Sequence, residues 1–343
     1  MNKGKKVRIG VAFGGPSSEH KISIATANNV FSSLSRDEFE VWPIYITKQC
    51  KFIIPFVPIS NPEQLRDFEK DLPNSIRSEA LPPAQAGEIL TQKFDVVFNA
   101  MHGPFGEDGT FQAFLKTLGI PCTGSNYSSS ALAMDKMRSR MVMKAHHIPV
   151  PETVYLRSGE NNVPFMPTVI KPNAQGSSVG VTVVKEQGQL KEALKEAFKF
   201  DDIVLAEEFL DGKEITCGVL DMPDAMSIAL PVTLILPKIA DFFDIKAKYE
   251  IDGSEEITPA PISDNATKLA KDLAVKTHKT LGCNGVTRTD MILMGDDSIK
   301  VLEINTLPGM TDTSLVPQAA NTIGISFQEL LSLIVKEALN RGL

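Results

Sequence analysis

Cysteine is scarce in this sequence. The four cysteines, Cys50, Cys122, Cys217 and Cys283, lie far apart, and no two of them form a Cys-x-x-Cys pair. This spacing argues against a disulfide framework, which needs cysteines that can pair within a small domain. We therefore predict free, mostly buried thiols and a protein that works in a reducing compartment.

Long apolar runs and an excess of positive charge are absent as well. Residues 7–13 are too few for the hydrophobic part of a signal peptide, and no segment approaches the roughly 20 apolar residues that span a membrane. The formal net charge of −7 argues against a general nucleic-acid or anionic-membrane surface, but it allows a local basic pocket. We predict a cytoplasmic protein that binds small molecules.

Two familiar phosphate-binding motifs are missing. The first predicted strand runs into Gly14-Gly15 without Gly-x-Gly-x-x-Gly spacing, which argues against a dinucleotide-binding fold. Residues 175–180, Gln-Gly-Ser-Ser-Val-Gly, join two predicted strands and lack the Gly-Lys-Ser/Thr of a Walker loop. Small residues between strands can still fold over phosphates and donate backbone N–H groups, although most such connections are ordinary turns.

What the sequence does contain is a regular succession of strands and helices. Its 343 residues, 43% hydrophobic and 22% charged, have the size and composition of a globular protein with two or three domains. Predicted strands at 7–13, 41–46 and 94–100 and a helix at 23–34 follow the βαβ order of a parallel sheet. Residues 57–90, rich in proline and charge, are predicted to be irregular.

The rest of the chain mixes helices with further strands. Ser326 and Glu329 form a capping-box pattern at the start of the last helix, and Gly282 is a fitting residue for the end of another. Helices are predicted at 129–146, 189–198, 266–281 and after 326, and strands at 168–171, 179–185, 203–209, 214–220, 229–236, 288–294 and 299–305.

The last two predicted strands carry the most specific functional signal. They flank the turn Gly-Asp-Asp-Ser at 295–298 and should pair as a hairpin. If the turn is centred between its two aspartates, Arg288 lies opposite Asn305 and Asp290 opposite Glu303. Directly opposed residues share a face, so these four polar side chains would come together. The other face, predicted to pack into the core, carries Met291, Leu293, Leu302 and Ile304.

Two carboxylates and a carboxamide on one patch suit a hard cation. Mg²⁺ prefers oxygen ligands and usually keeps water and substrate phosphates as further ligands, which points to a nucleotide. The alternative is a solvated sheet face with cross-strand ion pairs, the usual arrangement of charged strand residues. The otherwise apolar strands favour the metal site, which a register slip of one residue would destroy.

Three lysines and one strand end add weaker signals. Lys171 ends the strand before the Gly/Ser loop, Lys136 lies on the preceding predicted helix, and Lys248 lies on a later loop. A single lysine is usually a solvated surface charge, so these three matter only if they converge. The strand end at 207–210 suits adenine recognition, with Glu214 placed to accept from ribose hydroxyls, although by itself such a segment is usually plain core and surface.

These residues lie in short runs that resemble the D-alanine–D-alanine ligases of the ATP-grasp superfamily over essentially the whole chain. Each run is short, but the set in the family's order is highly specific. The runs are Phe-Gly-Gly-Pro-Ser-Ser-Glu-His-Lys-Ile-Ser at 13–23, His-Gly-Pro-Phe-Gly-Glu-Asp-Gly-Thr at 102–110, Met-Asp-Lys at 134–136, Ile-Lys-Pro at 170–172 with Gly-Ser-Ser-Val-Gly at 176–180, Lys-Tyr at 248–249, Arg-Thr-Asp at 288–290, and Leu-Glu-Ile-Asn-Thr-Leu-Pro-Gly-Met-Thr at 302–311 followed by Ser314 and Leu315.

The resemblance implies an α/β fold of ATP-grasp architecture. It implies an N-terminal Rossmann-like domain over 1–124, a central ATP-grasp subdomain over 125–211 and a C-terminal subdomain with the metal site over 212–343. The implied activity is ATP-dependent ligation of two D-alanine molecules through an acyl phosphate, for peptidoglycan precursors, by a homodimer.

The resemblance also implies roles for individual residues at the nucleotide. The implied ATP-binding residues are Lys136, Lys171 and Lys248 at the phosphates, Gly176, Ser177 and Ser178 in the loop, and Glu207, Phe209, Leu210 and Glu214 around the adenosine. Two Mg²⁺ ions, which Mn²⁺ could replace, would bind Asp290, Glu303 and Asn305, in agreement with the hairpin.

At the amino-acid site, the resemblance implies a first and a second D-alanine position. Glu19 would hold the first ammonium, clustered with Ser177 and Tyr249, and His102 would lie near the substrates. The oxyanion and the second carboxylate would be bound by Arg288, the backbone N–H of Gly309, Ser314 and Leu315.

The sequence departs from the family pattern in one loop, and alternative functions are compatible with parts of the resemblance. Relatives often carry Tyr-Asp-Tyr where this chain has Phe-Asp-Ile at 243–245, and Lys246 stands where an acid is common, which affects contacts of the 237–258 loop. A D-alanine–D-lactate ligase is one alternative, but such relatives commonly lack the tyrosine found at 249. A glutathione synthetase-like ligase is disfavoured by Glu19 and the His102 motif, and a non-catalytic nucleotide sensor by the complete hairpin set.

Overall fold

Three sheets are formed by the strands in the part of the chain that the structure describes. In the computed structural model, residues 6–56, 78–176, 179–237, 254–311 and 313–342 are described. Their strands make a four-stranded N-terminal sheet, a four-stranded central sheet and a six-stranded C-terminal sheet. None of the helices in these ranges is both long and apolar enough to cross a membrane.

The N-terminal sheet, with strand order β3-β2-β1-β4, has parallel strands at its centre. β2 and β4 both run parallel to β1, and β3 is antiparallel to β2. These parallel pairs confirm the predicted βαβ order. Parallel strands that are covered on both faces have nearly continuous apolar sequences. The elements are β1 (Val7–Gly14), α1 (His20–Ser33), β2 (Phe39–Ile46), β3 (Phe52–Ile53), α2 (Pro83–Lys93), β4 (Val96–Asn99) and α3 (Thr110–Thr117).

Helix α2 corrects the prediction that residues 57–90 are irregular. Pro83 is its first residue, a position that suits proline because the first-turn N–H has no helical partner. Ala86 and Leu90 on this helix are fully buried. The prolines here therefore mark a helix start, and residues 57–77 of the predicted segment lie outside the described residues.

The predicted helix at 129–146 is two helices, α4 (Tyr127–Met134) and α5 (Lys136–Ala145). Asp135 between them has φ −84° and ψ 96°, and its side chain accepts a hydrogen bond from the backbone N–H of Arg138. Aspartate is a preferred N-cap because its carboxylate satisfies a free N–H of the first turn. The break makes Lys136 the first residue of α5, where it is buried.

The central sheet, with strand order β5-β8-β6-β7, is antiparallel throughout. Helix α6 buries Leu190, Ala193, Leu194 and Ala197, one helical face, against it. The predicted strand at 179–185 is shorter in the structure, and β5 was not predicted. The elements are β5 (Thr153–Arg157), β6 (Thr168–Pro172), β7 (Thr182–Val184), α6 (Leu190–Ala197) and β8 (Ile203–Glu208).

The C-terminal sheet has the strand order β12-β11-β9-β13-β14, and β10 pairs with β9. The predicted strand at 229–236 is two strands, because Pro231 between them has no N–H to give to a ladder. The prediction for Gly282 is confirmed by its φ of +67° just after α7. The elements are β9 (Gly212–Asp221), β10 (Ser227–Ala229), β11 (Thr233–Pro237), β12 (Ser254–Ile257), α7 (Asp264–Thr280), β13 (Val286–Met294), β14 (Ile299–Asn305), α8 (Leu315–Thr322) and α9 (Phe327–Arg341).

The hydrophobic cores connect these sheets. Leu331 of α9 packs in one cluster with Ile9 of β1, so the last helix of the chain covers the first sheet. At the start of α9, the hydroxyl of Ser326 accepts from the backbone N–H of Glu329, which is one of the two hydrogen bonds of the predicted capping box. Met143 of α5 packs with the C-terminal sheet. Each sheet lies within one of the three predicted segments, and the segment boundaries themselves stay a prediction.

Two glycines at the ends of α3 allow a matched test of packing. Gly109 (φ +87°) precedes the helix and Gly119 (φ +72°) follows it, so alanine strains the backbone at both. A Cβ at Gly109 would lie 2.2 Å from the carbonyl oxygen of Tyr127, whereas one at Gly119 would meet no atom of the described residues within 4 Å. We expect Gly119→Ala to lower the free energy of unfolding by about 1 kcal/mol and Gly109→Ala by about 3 kcal/mol. Denaturant unfolding measures both, and equal losses would contradict this account of the contact.

Candidate active site

The β13–β14 hairpin has the predicted register at its polar end. Arg288 lies opposite Asn305, and Asp290 lies opposite Glu303. The register then shifts between Asp290 and Met291, because β14 contains one extra residue, a β-bulge. The four polar side chains share one face, as predicted. Next to the turn, however, Leu293 pairs with Ile299, one residue out of the predicted register, and the bulge restores that register at the polar end.

The bulge corrects the predicted position of Leu302. Val301, not Leu302, stands opposite Met291 and is fully buried. Leu302 is half-buried and lines a cavity together with its neighbour Glu303. A bulge interrupts the alternation of side chains, so two consecutive residues can lie on the same side of the sheet. Met291, Leu293 and Ile304 do lie in the core, as predicted.

Arg288 and Asp290 form a bidentate ion pair on this face. Nε and Nη2 of Arg288 are each 2.8 Å from a carboxylate oxygen of Asp290. The hydroxyl of Thr216 donates to Oδ1 of Asp290 at 2.7 Å. Burial lowers the pKa of Arg288, but the nearby carboxylates of Asp290 and Glu303 raise it by more, so the pKa lies above its ordinary value. Arg288 therefore stays a cation at this site.

Two cavities meet at the hairpin. The larger, of about 550 Å³, lies between helix α1 and residues 303–316, and the smaller, of about 310 Å³, lies between the central and C-terminal sheets. Both volumes are typical of small-molecule sites. Four residues line both cavities, which identifies the place where they join: Lys136, Gln175, Gly176 and Glu303.

Lys136 and Glu303 form an ion pair at this junction. Nζ of Lys136 is 3.2 Å from Oε2 of Glu303 and donates to the backbone carbonyl of Gln175 at 2.7 Å. Asn305 lines the larger cavity, and its Oδ1 accepts from the backbone N–H of Leu307 at 2.9 Å. The junction therefore combines an ammonium group with carboxylate and amide oxygens.

The smaller cavity is charged at one end and has apolar walls. The predicted nucleotide residues Lys171, Glu207, Phe209, Leu210 and Glu214 line it, as does Asp290. Its apolar walls were not predicted, although Val181 and Val183 are two residues apart in the strand predicted at 179–185 and would share one of its faces. A cleft with apolar walls, with Lys136 and Lys171 in its lining, has groups suited to the base and the phosphates of a nucleotide. The walls comprise Val169, Val181, Val183, Ile235, Leu236 and Ile292.

Glu207 belongs to a buried ion network beside this cavity. Its Oε1 lies 2.8 Å from Nζ of Lys171 and 2.7 Å from Nη1 of Arg140. Burial raises the pKa of Glu207, but Arg140 and Lys171 lower it by more, so the pKa lies below its ordinary value. Burial also lowers the pKa of Lys171. Arg140 was missed from the sequence, where a basic residue on a helix gives no sign of burial.

The larger cavity gathers residues from both ends of the chain. His102 is fixed in its wall by two contacts, from Nε2 to the hydroxyl of Thr26 at 2.8 Å and from Nδ1 to the carboxylate of Glu107 at 3.4 Å. Thr26 and Glu107 were not predicted as site residues. All described residues of the predicted amino-acid site line this cavity: Glu19, His102, Arg288, Gly309, Ser314 and Leu315.

Not every predicted residue is among those that the structure describes. Ser177, Ser178, Lys248 and Tyr249 are outside the described residues, as are the unusual positions 243–246. The cysteines are free, as predicted; two are buried and two are half-buried, and none lines either cavity. Burial raises the pKa of three of these thiols, those of Cys122, Cys217 and Cys283, to about 12, which disfavours the thiolate form that acts as a nucleophile.

Two family models match this chain. Residues 8–125 match the model described as D-ala D-ala ligase N-terminus, and residues 142–336 match the model described as D-ala D-ala ligase C-terminus. Together these matches cover most of the sequence and most of the residues that line the two cavities.

Individual relatives are similar over nearly their whole length. The D-alanine--D-alanine ligase of Leptospira biflexa serovar Patoc is 39% identical, covering 98% of this chain and 99% of its own. That of Clostridium beijerinckii is 36% identical, covering 97% and 99%.

Solved structures of similar proteins have the same fold. The VanG D-Ala:D-Ser ligase from Enterococcus faecalis matches with a TM-score of 0.83 at 31% identity, covering 97% of this chain and 100% of its own. The Bacillus anthracis D-alanine--D-alanine ligase complexed with ATP matches with a TM-score of 0.73 at 30% identity, covering 98% of both chains. From sequence, fold and site together, the chain belongs to the D-alanine–D-alanine ligase family and has its ATP-grasp architecture.

Proposed function

We propose that this protein is an ATP-dependent, ADP-forming ligase that joins two D-alanine molecules into D-alanyl-D-alanine for peptidoglycan precursors. The relatives named for this activity match over nearly the full chain. The observation that carries the proposal is the junction, because Lys136 and Glu303 line both cavities. The phosphate end of a nucleotide in one cavity would there meet a carboxylate in the other.

ATP, present in the similar Bacillus anthracis structure, would occupy the smaller cavity. The adenine would lie against Phe209 and Leu210, and Glu214 would accept from the ribose hydroxyls. Lys171 and Lys136 would contact the phosphates, in a cleft whose apolar walls strengthen such charge interactions. The loop residues Gly176, Ser177 and Ser178, with Lys248, stay predicted additional contacts.

Magnesium fits the donor set at the junction. Asp290, Glu303 and Asn305 offer carboxylate and amide oxygens, which hard cations prefer. Within the described ranges, no group of three or more Asp, Glu, His or Cys side chains forms a metal site. The site would therefore rely on phosphate and water as further ligands, as magnesium sites usually do. When bound, two Mg²⁺ ions, which Mn²⁺ could replace, would offset charge on the transferring phosphoryl group.

The first step makes the carboxylate of the first D-alanine reactive. A carboxylate oxygen forms a bond to the γ-phosphorus of ATP, and the bond from that phosphorus to the ADP oxygen breaks. D-alanyl phosphate and ADP result. Lys136 and Lys171 would stabilise the charge of the phosphoryl group during transfer, and Glu19 would hold the D-alanine ammonium.

The second step forms the amide. The free amine of the second D-alanine attacks the acyl carbon, the carbon–oxygen bond to phosphate breaks, and the amine loses its proton. Arg288 and the N–H of Gly309 would stabilise the tetrahedral oxyanion, while Ser314 and Leu315 would bind the second carboxylate. Because acyl phosphates hydrolyse, the site must exclude water, a role predicted for the 176–180 and 237–258 loops.

A product assay tests the proposed function. The protein is incubated with ATP, Mg²⁺ and either D-alanine, L-alanine, D-alanine with D-lactate, or D-alanine with D-serine, and the products are identified by mass. We expect D-alanyl-D-alanine with one phosphate released per dipeptide. A depsipeptide or a D-serine product as the main species would reassign the second substrate, and ATP binding without turnover would indicate a sensor.

A cytoplasmic homodimer is part of the proposal by family precedent, and light scattering tests the dimer.

The metal assignment predicts a severe effect of Glu303→Gln. The substitution removes a charge at the junction while keeping the side-chain shape, so turnover should fall by roughly 100-fold or more with little change in melting temperature. The matched control is Glu192→Gln, on the exposed face of α6. Near-normal turnover of Glu303→Gln at saturating Mg²⁺ would contradict the assignment.

The oxyanion role of Arg288 predicts an effect mainly on kcat. Arg288→Ala should lower kcat by about 100- to 1,000-fold and change the KM for D-alanine much less, because the interaction strengthens only in the transition state. Steady-state kinetics separate the two constants, with Arg157→Ala on an exposed strand end as control. A change confined to KM would mean that Arg288 binds the ground state just as well.

A further inference from the structure

Arg140 is a buried cation that the proposed reaction does not use. It lies on α5, its side chain is 1% exposed, and it lines neither cavity. Burying a guanidinium is costly unless its N–H groups have partners. The identity of those partners therefore indicates what the charge does.

The guanidinium of Arg140 connects three strands around the smaller cavity. Nη1 lies 2.7 Å from Oε1 of Glu207 on β8 and donates to the hydroxyl of Thr153 on β5 at 2.8 Å. Nη2 donates to the backbone carbonyl of Leu302 on β14 at 2.9 Å. Arg140 thus ties the central sheet to the C-terminal sheet, the two walls of the nucleotide cleft. A planar fork of donors can make these contacts together, which a lysine ammonium cannot.

Because of the first contact, the carboxylate of Glu207 pairs with two cations. Arg140 and Lys171 both approach Oε1 of Glu207, so the buried group of two cations and one carboxylate has one net positive charge. Of the two cations, only Lys171 lines the cavity. Without Arg140, Lys171 and Glu207 would form a neutral pair, held more tightly because the surroundings have low polarity.

The second contact acts on the hairpin. Leu302 is the extra residue of the bulge, and Glu303 follows it directly. A bulge disrupts the ladder locally, and a buried carbonyl there needs another donor. Nη2 of Arg140 supplies it, and so fixes the backbone from which Glu303 extends to the junction.

We propose that Arg140 is a positioning residue for ATP, which keeps Lys171 available to the phosphates by sharing Glu207 and which holds the Leu302 bulge. This inference rests on the proposed function, where Lys171 and Glu303 are assigned to the nucleotide. The competing explanation is that the same contacts only stabilise the fold. That explanation predicts a lower melting temperature with no selective effect on ATP.

The test compares Arg140→Met, Arg140→Lys and the control Arg138→Met in the full chain. Arg138 lies on the same helix but is 67% exposed and pairs with Asp135. The Kd of ATP with Mg²⁺ is measured by calorimetry without D-alanine, followed by kcat and both KM values. We expect Arg140→Met to raise the Kd of ATP about 10-fold and to change the KM for D-alanine by less than about 2-fold. Arg140→Lys should recover part of the affinity, and Arg138→Met should match the wild type.

A double-substitution cycle with Glu207→Gln gives a second test, and Arg140→Lys takes the place of Arg140→Met in it if the methionine variant folds poorly. A neutral side chain at position 207 no longer forms an ion pair with Lys171, so Arg140 is not needed to weaken that pair. Arg140→Met should therefore weaken ATP binding less in the Glu207→Gln background than in the wild type. Equal effects in both backgrounds, an unchanged Kd in folded Arg140→Met, or equal losses for ATP and D-alanine would each overturn the proposal. A wild-type protein that binds ATP but makes no dipeptide would instead overturn the proposed function, and the ATP comparison would still stand.

Discussion

The pairing of β13 with β14 is the constraint on which the rest of the site depends. Side chains alternate along a strand, so a slip of one residue would turn Asp290 and Glu303 to opposite faces. The observed register places them directly opposite each other, and the bulge at Leu302 then lets Val301 take the core position nearer the turn. One hairpin thereby supplies an apolar face to the core and a polar end to two cavities.

Ion pairs with carboxylates hold cationic side chains of the site in position. Three of the cationic side chains that line the cavities lie beside a carboxylate: Lys136 beside Glu303, Lys171 beside Glu207, and Arg288 beside Asp290. An unpaired charge would be costly in these poorly hydrated places. Pairing holds the cations in position in the protein alone, so that a phosphate or an oxyanion would meet donors that are already oriented.

The parts of this arrangement that depend on local sequence patterns could be predicted from the sequence. The predicted pairing of Arg288 with Asn305 is correct, but the predicted centre of the turn is not, because Leu293 pairs with Ile299, one residue out of the predicted register. The bulge at Leu302 restores the predicted register at the polar end of the hairpin. The bulge could not be predicted, since an apolar residue such as Leu302 fits either face of the hairpin. Helix α2 was missed because its prolines favoured a loop, and the break at Asp135 because an aspartate within a helical pattern is also compatible with a continuous helix.

Site contacts between residues that are far apart in the chain could not be predicted from the sequence. Arg140 meets Glu207 and Leu302 across 67 and 162 residues of chain, and no local pattern indicates such a meeting. The same holds for Thr26, which lies 76 residues from His102. Glu107, in contrast, lies in the same motif as this histidine and is a local contact. The individual roles of the site residues, and those of Ser177, Lys248 and Tyr249, stay predictions.

The central claim is that a D-alanine carboxylate attacks the γ-phosphorus of ATP where the two cavities join. The most direct measurement uses D-alanine labelled with ¹⁸O in its carboxylate, together with ATP and Mg²⁺, and determines the isotopic content of the released phosphate by mass spectrometry. The account predicts that each phosphate carries one oxygen from the D-alanine carboxylate. Unlabelled phosphate accompanying dipeptide formation would contradict it.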